Sequence, residues 1–355
     1  MKKIKYIPFL KLKRGEFGAL SNLKLEVKSQ IIPFFDYPRL AKHITADMYL
    51  KDTKRINEAK AHLKDFDSFY LDSFDIDSNL KINGQNNYRY ILETFSSSSV
   101  IPVIGIDRDD EHMAGVIELK RQGKIISHVV AIRIQIEDTA SFSITDGEIE
   151  GRLSAAIAEF KELDLIIDLR VCNEKILIPS QTKEFIENFC SKYVTRAVVV
   201  SGSSIPKIIK KIARSNQQKS VNRTELSFLR ALNSEFMNSS SKRSVILGDY
   251  TVVSPDYSDF EIDERLFRTI TVAKVIYSYS ANHYIAMGET LKIGGNGQYG
   301  YLCRSITLSP FYRGTGYSFG DGYLNNKSNG GSSAPGAILK PTINAHITYM
   351  VKDYV

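Results

Sequence analysis

The fold is decided by the sequence HVVAIRIQIE at residues 128–137, in which small and β-branched apolar residues lead into alternating polar ones. Side chains two positions apart share a face of a strand, so Arg133 and Gln135 fall on one face and the isoleucines on the other. The sequence LIIDLR at residues 165–170 repeats this arrangement. Both stretches predict strands whose polar face points away from the helices that cover a parallel sheet.

Eight such apolar runs recur along the first 250 residues, and segments with a helical period separate them. The runs are 4–11, 31–36, 69–75, 100–107, 128–137, 165–170, 197–201 and 245–250. A crossover helix makes the next strand parallel, and closing eight such units removes every open sheet edge. We therefore predict an α/β fold, a (β/α)8 TIM-like barrel over residues 1–255. An open doubly wound sheet shares the alternation and stays the alternative.

The C-terminal residues 256–355 differ in composition, because Tyr, Gly, Ser and Asn become frequent and the helical period fades after Thr269. We predict a β-rich, loop-rich extension that packs on the barrel. Its expected strands are residues 272–279 and 343–350, and residues 328–336 are expected to form a loop.

The composition limits the class of protein. The three cysteines are widely separated, and the six histidines show no paired metal-ligand spacing, which argues against a disulfide framework and a zinc site. No apolar run approaches the roughly 18 residues of a membrane span, and no signal-type apolar stretch opens the chain. These features predict a soluble cytoplasmic protein with no membrane partner.

The net charge of +7 is unevenly placed, because residues 201–245 alone carry nine Lys or Arg against two Glu. The cations are Lys207, Lys210, Lys211, Arg214, Lys219, Arg223, Arg230, Lys242 and Arg243. One interpretation is a basic helical face for nucleic acid. The other is a solvated outer helix of the barrel, which the lack of interleaved aromatic residues favours.

Polar residues at the carboxyl ends of several runs are expected to meet at one mouth of the barrel, where barrel enzymes carry their active sites. The candidate catalytic residues are Lys11, Asp36, Arg133, Asp168 and Arg170. The candidate substrate-binding residues are Lys13, Asp75, Asp107, Gln135 and Asp249. The cations can hold an anionic group, and the aspartates can bind Mg²⁺ or act as a general base. The competing interpretation is a structural network of buried ion pairs, and metal ligands stay unassigned.

Both ends of the chain carry a family resemblance. The sequences YIPFLKLKRGE at 6–16, followed by Ala19 and Leu20, and IIPFFDYP at 31–38 resemble the opening of the phage-type beta protein family. The sequences YSFGD at 317–321 and INAHIT at 343–348 resemble its C-terminal signature. Asp36 stands where that family is expected to have Glu, and Phe319 and Ala345 stand where it often has Trp and a second His.

The resemblance implies a biological context more than a reaction. Members of this family resemble phage, prophage and mobile-element proteins that are encoded beside toxin-like or nuclease-like genes and are associated with antiphage defence or toxin neutralisation. The positions that match the family's motifs are Lys11, Lys13, Glu16, Asp36, Tyr317, Asp321 and His346. Tyr317, Asp321 and His346 therefore join the candidate substrate-binding residues.

Two functions follow from these expectations. In the first, the protein belongs to a phage or mobile-element defence system, or a toxin–antitoxin-type system, and its barrel binds a phage product or a partner protein encoded by a neighbouring gene. In the second, the mouth is the active site of a Mg²⁺-dependent enzyme that acts on a phosphorylated or nucleotide-like anionic substrate.

Overall fold

The structure, a computed structural model, describes residues 4–39, 50, 57, 60–96, 98–238, 243–257 and 264–354. Its strands are β1 (Tyr6–Lys11), β2 (Phe34–Asp36), β3 (Phe69–Asp72), β4 (Lys81–Ile82), β5 (Gln85–Asn86), β6 (Val100–Ile104), β7 (Val129–Gln135), β8 (Glu162–Val171), β9 (Thr195–Ser203), β10 (Gln218–Asn222), β11 (Ile246–Asp249), β12 (Val272–Tyr279) and β13 (Asn282–Thr290).

The helices of these residues are α1 (Arg14–Ser21), α2 (Leu25–Lys28), α3 (Asn87–Thr94), α4 (Asp110–Arg121), α5 (Phe142–Ile157), α6 (Pro179–Lys192), α7 (Thr224–Met237), α8 (Glu264–Ile270), α9 (Leu291–Gly294), α10 (Gln298–Thr307), α11 (Phe319–Ser328) and α12 (Pro335–Tyr349). Short 3-10 turns follow β7, β8 and β9, and another spans Lys60–Leu63. Of the segments with a helical period that separate the apolar runs, the one between the second and third runs, at 47–66, lies largely outside the described residues. No described helix has the length and apolar character that crossing a membrane requires.

Eight strands close a parallel barrel in the order β1, β11, β9, β8, β7, β6, β3 and β2. Each predicted apolar run overlaps one of them, so the closed barrel is confirmed and the open-sheet alternative is wrong. The pairing of β7 with β8 places Gln135 beside Asp168. Small and β-branched residues suit these strands because both of their faces are buried.

The barrel interior is sorted into layers. Phe9 and Phe34 stack in its apolar part with ring centroids 4.2 Å apart. At the end where the strands begin, the Tyr70 hydroxyl and Arg196 Nε donate to Asp164 at 2.8 and 2.9 Å. At the other end, where the strands finish, the interior becomes strongly charged. The second charged layer is the mouth.

The C-terminal part departs from the prediction. Strand β12 matches the expected strand at 272–279, and β12 pairs antiparallel with β13, which also pairs with β10. The expected β-rich character is wrong, however, because α8 to α12 account for half of the described residues beyond 256 and far exceed the two strands there. Residues 343–349, expected as a strand, belong to α12.

Burial explains why α12 escaped detection. Every residue from Pro341 to Tyr349 is buried, so no polar stripe marks a helical period. One side of α12 packs on α1, where Asn344 Nδ2 donates to the carbonyl of Ala19 at 3.0 Å. On another side α11 approaches so closely that a Cβ at Gly320 would lie 2.0 Å from the Pro341 carbonyl oxygen. Glycine is therefore needed at that crossing.

Candidate functional site at the barrel mouth

Arg133 occupies the centre of the mouth. It stands on β7 with 1% of its surface exposed. Its Nη1 donates to Asp36 at 2.7 Å and to Asp72 at 2.8 Å, and its Nη2 donates to Asp168 at 2.6 Å and to the Tyr250 hydroxyl at 2.8 Å. Three carboxylates thus surround one guanidinium. A planar fork of five donors is suited to such a position.

A second arginine extends this central cluster. Arg108 Nη2 donates to Asp72 at 2.7 Å, and its Nη1 pairs with Asp107. Burial alone would raise the pKa of Asp72, but the guanidinium groups of Arg108 and Arg133 outweigh burial and lower it. Asp72 therefore stays ionised, and the charges of the cluster compensate one another as buried charges must.

A half-buried rim lies above the central cluster. Arg170 Nη2 donates to Asp256 at 3.0 Å and lies 3.6 Å from Asp75 Oδ1. Lys11 Nζ donates to the Pro255 carbonyl at 3.1 Å and lies 3.3 Å from the centre of the Tyr257 ring. Cation–π contact of this kind holds the ammonium group in place. The rim joins the ends of β1 and β8 to the segment that follows β11.

Phe74 separates the central cluster from solvent. The guanidinium carbons of Arg108, Arg133 and Arg170 lie 4.9, 4.5 and 4.7 Å from the centre of its ring. One phenyl ring therefore contacts all three arginines. It fixes their planes and restricts access to Arg133.

Two rim groups have pKa values displaced toward neutrality. Burial and the neighbouring Asp36 carboxylate raise the pKa of Asp75 to about 6, although Arg170 and Lys11 oppose the shift. Burial lowers the pKa of Lys11 to about 8, although Asp75 and Asp36 oppose it. Perturbed carboxyl and amine groups on one rim are typical of functional sites, and structural ion pairs also produce them.

Backbone strain marks the ends of two strands at the barrel. Arg170 and Thr251 have φ of 49° and 58°, in the left-handed region that side-chain-bearing residues rarely adopt. In each case an aspartate two positions earlier accepts the backbone N–H: Asp168 from Arg170 at 2.9 Å and Asp249 from Thr251 at 2.7 Å. Such strain persists only where the surroundings enforce it. Asp168 therefore orients Arg170 as well as Arg133.

Buried polar atoms of this region without a hydrogen-bond partner in the described part of the chain include Asp75 Oδ2, Arg108 Nε, Arg170 Nη1 and Ser201 Oγ. Ser201 lies beside Asp168 in the pairing of β8 with β9. Buried polar groups are nearly always paired, so unpaired ones point to a missing partner such as a ligand group or a water molecule.

The structure brings most of the sequence candidates together. Lys11, Asp36, Asp75, Asp107, Arg133, Asp168 and Arg170 all lie at the mouth. Lys13 is exposed at its edge, with Nζ 5.4 Å from the centre of the Tyr257 ring. Gln135 is half-buried, and its backbone N–H donates to Asp138 at 2.8 Å.

Asp249 and His346 lie elsewhere. Asp249 points to the outer face of the barrel with Leu247, because Gly248 between them faces inward against Phe9. There it accepts hydrogen bonds from the Tyr6 hydroxyl at 2.6 Å and from His346 Nε2 at 3.0 Å. The expectation that Asp249 joins the mouth does not hold, since neighbouring strand residues face opposite sides.

The outer group continues into the C-terminal part. Arg223 pairs with Asp249 and, at 2.8 Å, with Glu225. Ser278 Oγ lies 2.6 Å from His346 Nδ1 and 3.0 Å from His283 Nδ1. Asp249, His346 and Ser278 resemble a hydrolytic triad in composition. All three are at most 2% exposed, however, so no substrate reaches the hydroxyl.

Tyr317 and Asp321 lie within the C-terminal part. The Tyr317 hydroxyl donates to Asp353 at 2.7 Å. Asp321 accepts from the Tyr277 hydroxyl and from Ser318, whose Oγ in turn accepts the Asp321 N–H at 3.0 Å and so caps α11. Residues 316–320 match the Gly-x-Ser-x-Gly pattern of a nucleophile elbow, but Ser318 is a buried helix cap with no histidine partner among the described residues.

Sequence reasoning missed Asp72, Arg108, Tyr250 and Phe74. Strand alternation predicts that Asp72 points into the barrel, because Tyr70 does so and Asp72 follows two positions later at the end of β3. Tyr250 ends the last predicted run, and its hydroxyl donates to Asp168 at 2.6 Å. Arg108 and Phe74 lie on loops, where no strand parity applies.

The mouth does not fit the Mg²⁺ that the sequence suggested. Asp36, Asp72 and Asp168 direct their oxygens at Arg133, whose guanidinium fills the place a cation would take. Among the described residues, no group of three or more His, Cys, Asp or Glu side chains is arranged to hold a metal ion. The central cluster therefore resembles the structural ion-pair network that was the alternative for these residues.

Residues 6–352 match the family model described as Beta protein. No curated protein and no solved structure matches the chain.

Proposed function

The chain belongs to the Beta protein family, and we propose that it is a binding component of a phage or mobile-element defence system or of a toxin–antitoxin-type system. In this proposal a cytoplasmic, TIM-like (β/α)8 barrel is the scaffold, and residues 256–355 are an extension that packs on it. The barrel binds a phage product or a protein encoded by a neighbouring gene.

The main support for the proposal is that the Arg133 guanidinium is already paired with three carboxylates of the protein itself. A barrel enzyme needs reacting groups that substrate can reach, whereas Arg133 and its three carboxylate partners are at most 1% exposed and satisfy one another. A buried network that links four strands makes the mouth rigid. Rigid support of a recognition surface is what a binding scaffold requires.

The rim is the part of the mouth that supports recognition. Arg170 Nη1 and Asp75 Oδ2 lack partners, and the side chains of Arg170 and Asp256 are 18% and 40% exposed. An acidic side chain of a partner, or a small anionic ligand, would satisfy Arg170, and an N–H donor would satisfy Asp75.

A second function, an enzyme at the same rim, is favoured by Lys11 and Asp75. A carboxyl group whose pKa is raised to about 6 and an amine whose pKa is lowered to about 8 can exchange protons with a substrate near neutral pH. The substrate in this alternative is phosphorylated or nucleotide-like, and Arg170 holds its anionic group. No step depends on a metal ion, because the central carboxylates are occupied by Arg133.

Phage plating on cells that carry the native locus tests the proposal, combined with size-exclusion analysis of the complex with the neighbouring gene product. Arg170→Gln is expected to reduce both protection and complex formation by about tenfold or more, since it removes a charged partner from the rim. The matched control is Lys64→Gln/Lys161→Gln, which changes two exposed lysines that precede β3 and β8, at the end of the barrel opposite the mouth. Thermal melts of all variants verify folding.

Each other outcome has a defined meaning. Protection and complex formation that survive Arg170→Gln would overturn the role of the rim. Loss of protection by Asp75→Asn while the complex persists would favour the enzyme. A wild-type locus that neither protects nor forms a complex would overturn the binding role itself.

A further inference from the structure

The basic segment of the chain does not form the helical face that the sequence suggested. Residues 205–222 contain five Lys or Arg and no Asp or Glu. They form a 3-10 turn at Ile209–Lys211, a loop, and strand β10. Arg223, just beyond them, is fully buried in its pairs with Asp249 and Glu225 and takes no part in the surface. Lys242 lies outside the described residues.

Strand β10 is the edge of a three-stranded antiparallel sheet. Its five residues pair with Asn282–Ala286 of β13, and no described residue pairs with its opposite edge. Four of its five side chains are exposed, and only Val221 is half-buried. A free edge presents a row of unpaired backbone N–H and C=O groups, which is a template for a further strand.

Four exposed cations lie on this strand or on the segment that leads into it. Lys210, Lys211, Arg214 and Lys219 are all exposed, and none forms an ion pair within the described part of the chain. Glu289 accepts a hydrogen bond from Asn216 of this segment and forms no described ion pair with the four cations. The positive charge is therefore uncompensated locally.

The chemistry of the edge selects its occupant. A lysine on an edge strand disfavours pairing with a second copy, because two such edges repel each other. It favours a strand of opposite charge, for which the repulsion becomes attraction. Nucleic acid also seeks uncompensated cations, but it has no use for free backbone N–H and C=O groups in strand register. Both features together are used only by an acidic polypeptide.

We propose that the free edge of β10, with Lys210, Lys211, Arg214 and Lys219, binds an acidic extended segment of a partner protein as an added antiparallel or parallel strand. The inference rests on the proposed function in taking the partner to be a protein, and it names the surface and the partner's chemistry. Backbone hydrogen bonds hold the segment to the edge, and its carboxylates meet the four cations.

A fluorescein-labelled peptide in which Glu and Val alternate is the probe, and its anisotropy is measured with the full-length protein. Three matched probes are a peptide with Lys in place of Glu, a Glu/Val peptide of equal charge with prolines at both odd and even positions, and an oligothymidine of equal charge. The proline peptide keeps its charge but lacks the N–H groups that a new strand donates. Binding of the Glu/Val peptide is expected to weaken with salt.

The diagnostic variant is Lys211→Glu/Lys219→Glu, and its control is Lys64→Glu/Lys161→Glu, which makes the same charge change at exposed lysines before β3 and β8. The first is expected to weaken Glu/Val binding by about tenfold or more and the control by less than about twofold. Proline is expected to weaken binding by a similar factor. Thermal melts establish that both variants fold.

Four results would overturn the inference: no binding of the Glu/Val peptide, equal binding by both double variants, equal binding of the proline peptide, or tighter binding of oligothymidine. The complex with the neighbouring gene product separates the two proposals. A complex that survives Lys211→Glu/Lys219→Glu would overturn this surface and leave the proposed function standing. Absence of any complex with wild type, while the peptide results hold, would overturn the proposed function and leave the surface standing.

Discussion

Two buried charge networks lie on opposite faces of the same barrel wall. The inner network surrounds Arg133 with Asp36, Asp72 and Asp168 and links β2, β3, β7 and β8. The outer network surrounds Asp249 with Tyr6, Arg223 and His346 and links the barrel to α12. Both consist of ionised or hydrogen-bonded groups with almost no exposure.

The two networks differ in whether the groups at their border are exposed to solvent or covered by the rest of the protein. The inner network ends in a rim with exposed charge and unpaired polar atoms, including Arg170 Nη1. The outer network is sealed by the C-terminal sheet and by α12, and it contains histidines, which the inner network lacks. Burial and charge alone therefore do not distinguish a recognition site from a structural ion-pair network. The distinguishing property is whether solvent reaches polar groups at the border of the network.

The outer network has a consistent proton arrangement. Burial alone would raise the pKa of Asp249, but the Arg223 guanidinium and the hydrogen bonds from His346 and Tyr6 hold it well below its usual range. Burial lowers the pKa of His346 and His283, so both rings are neutral at pH 7. His346 then donates from Nε2 to Asp249 and accepts at Nδ1 from Ser278, which accepts from His283.

Replacement of Arg133 is expected to have the largest effect. Arg133→Met keeps much of the volume but leaves three buried carboxylates without their cation, so the free energy of unfolding at neutral pH should fall by about 3–5 kcal/mol or more. The loss should shrink as pH falls toward 5, because the unpaired carboxyl groups then take up protons in the folded state. Urea unfolding measures both effects.

The control for Arg133→Met is Lys81→Met, which breaks an ion pair whose side chains are 41% and 60% exposed. It should change the free energy of unfolding by less than about 1 kcal/mol. If the two variants were equally stable, the inner network would not be the rigid core of the mouth.

Replacement of Asp249 is expected to have an intermediate effect. Asp249→Asn removes the charge but can still accept from Tyr6, and Arg223 keeps Glu225, so unfolding should become easier by about 2–3 kcal/mol. Formation of the complex with the neighbouring gene product and binding of the Glu/Val peptide at β10 should not change. A larger loss than that of Arg133→Met, measured by the same urea titration, would reverse the ranking of the two networks.

The smallest effect is a pH dependence specific to the outer network. The folded-state pKa of His283 lies below its unfolded value, so below about pH 6.5 the unfolded state binds a proton that the folded state does not. The contribution of the neutral histidine to the free energy of unfolding is therefore complete above that pH. It is lost as pH falls, by about 1.4 kcal/mol per pH unit for each such histidine.

His283→Asn retains a side-chain amide that can reach Ser278 and should reduce this slope by about 1.4 kcal/mol per pH unit between about pH 6.5 and 5. The raised pKa of Asp75 makes the folded state more stable as pH falls through about 6, which is the opposite sense. This contribution is the same in the wild type and in His283→Asn, so it cancels in the difference between their slopes. An unchanged slope would mean that His283 is protonated in the folded state, contrary to its burial.

Much of the site could be predicted because strand parity is a local property. Arg133 and Asp168 face inward as the alternation in HVVAIRIQIE and LIIDLR requires. The same rule failed for Asp249, since the run VILGDY at 245–250 is apolar on both faces and does not reveal which one is inner. Arg108 and Phe74 could not be found, because loops have no periodicity.

The sequence by itself determined that eight strands alternate with helices and that their ends carry charge, because period and composition act within a few residues. Only the tertiary structure decided which charges meet. Arg133 reaches Asp36 across 97 residues, and His346 reaches Asp249 across 97. The tertiary structure also decided that residues 343–349 form a helix, since a segment buried on all sides loses the polar stripe by which a helix is recognised.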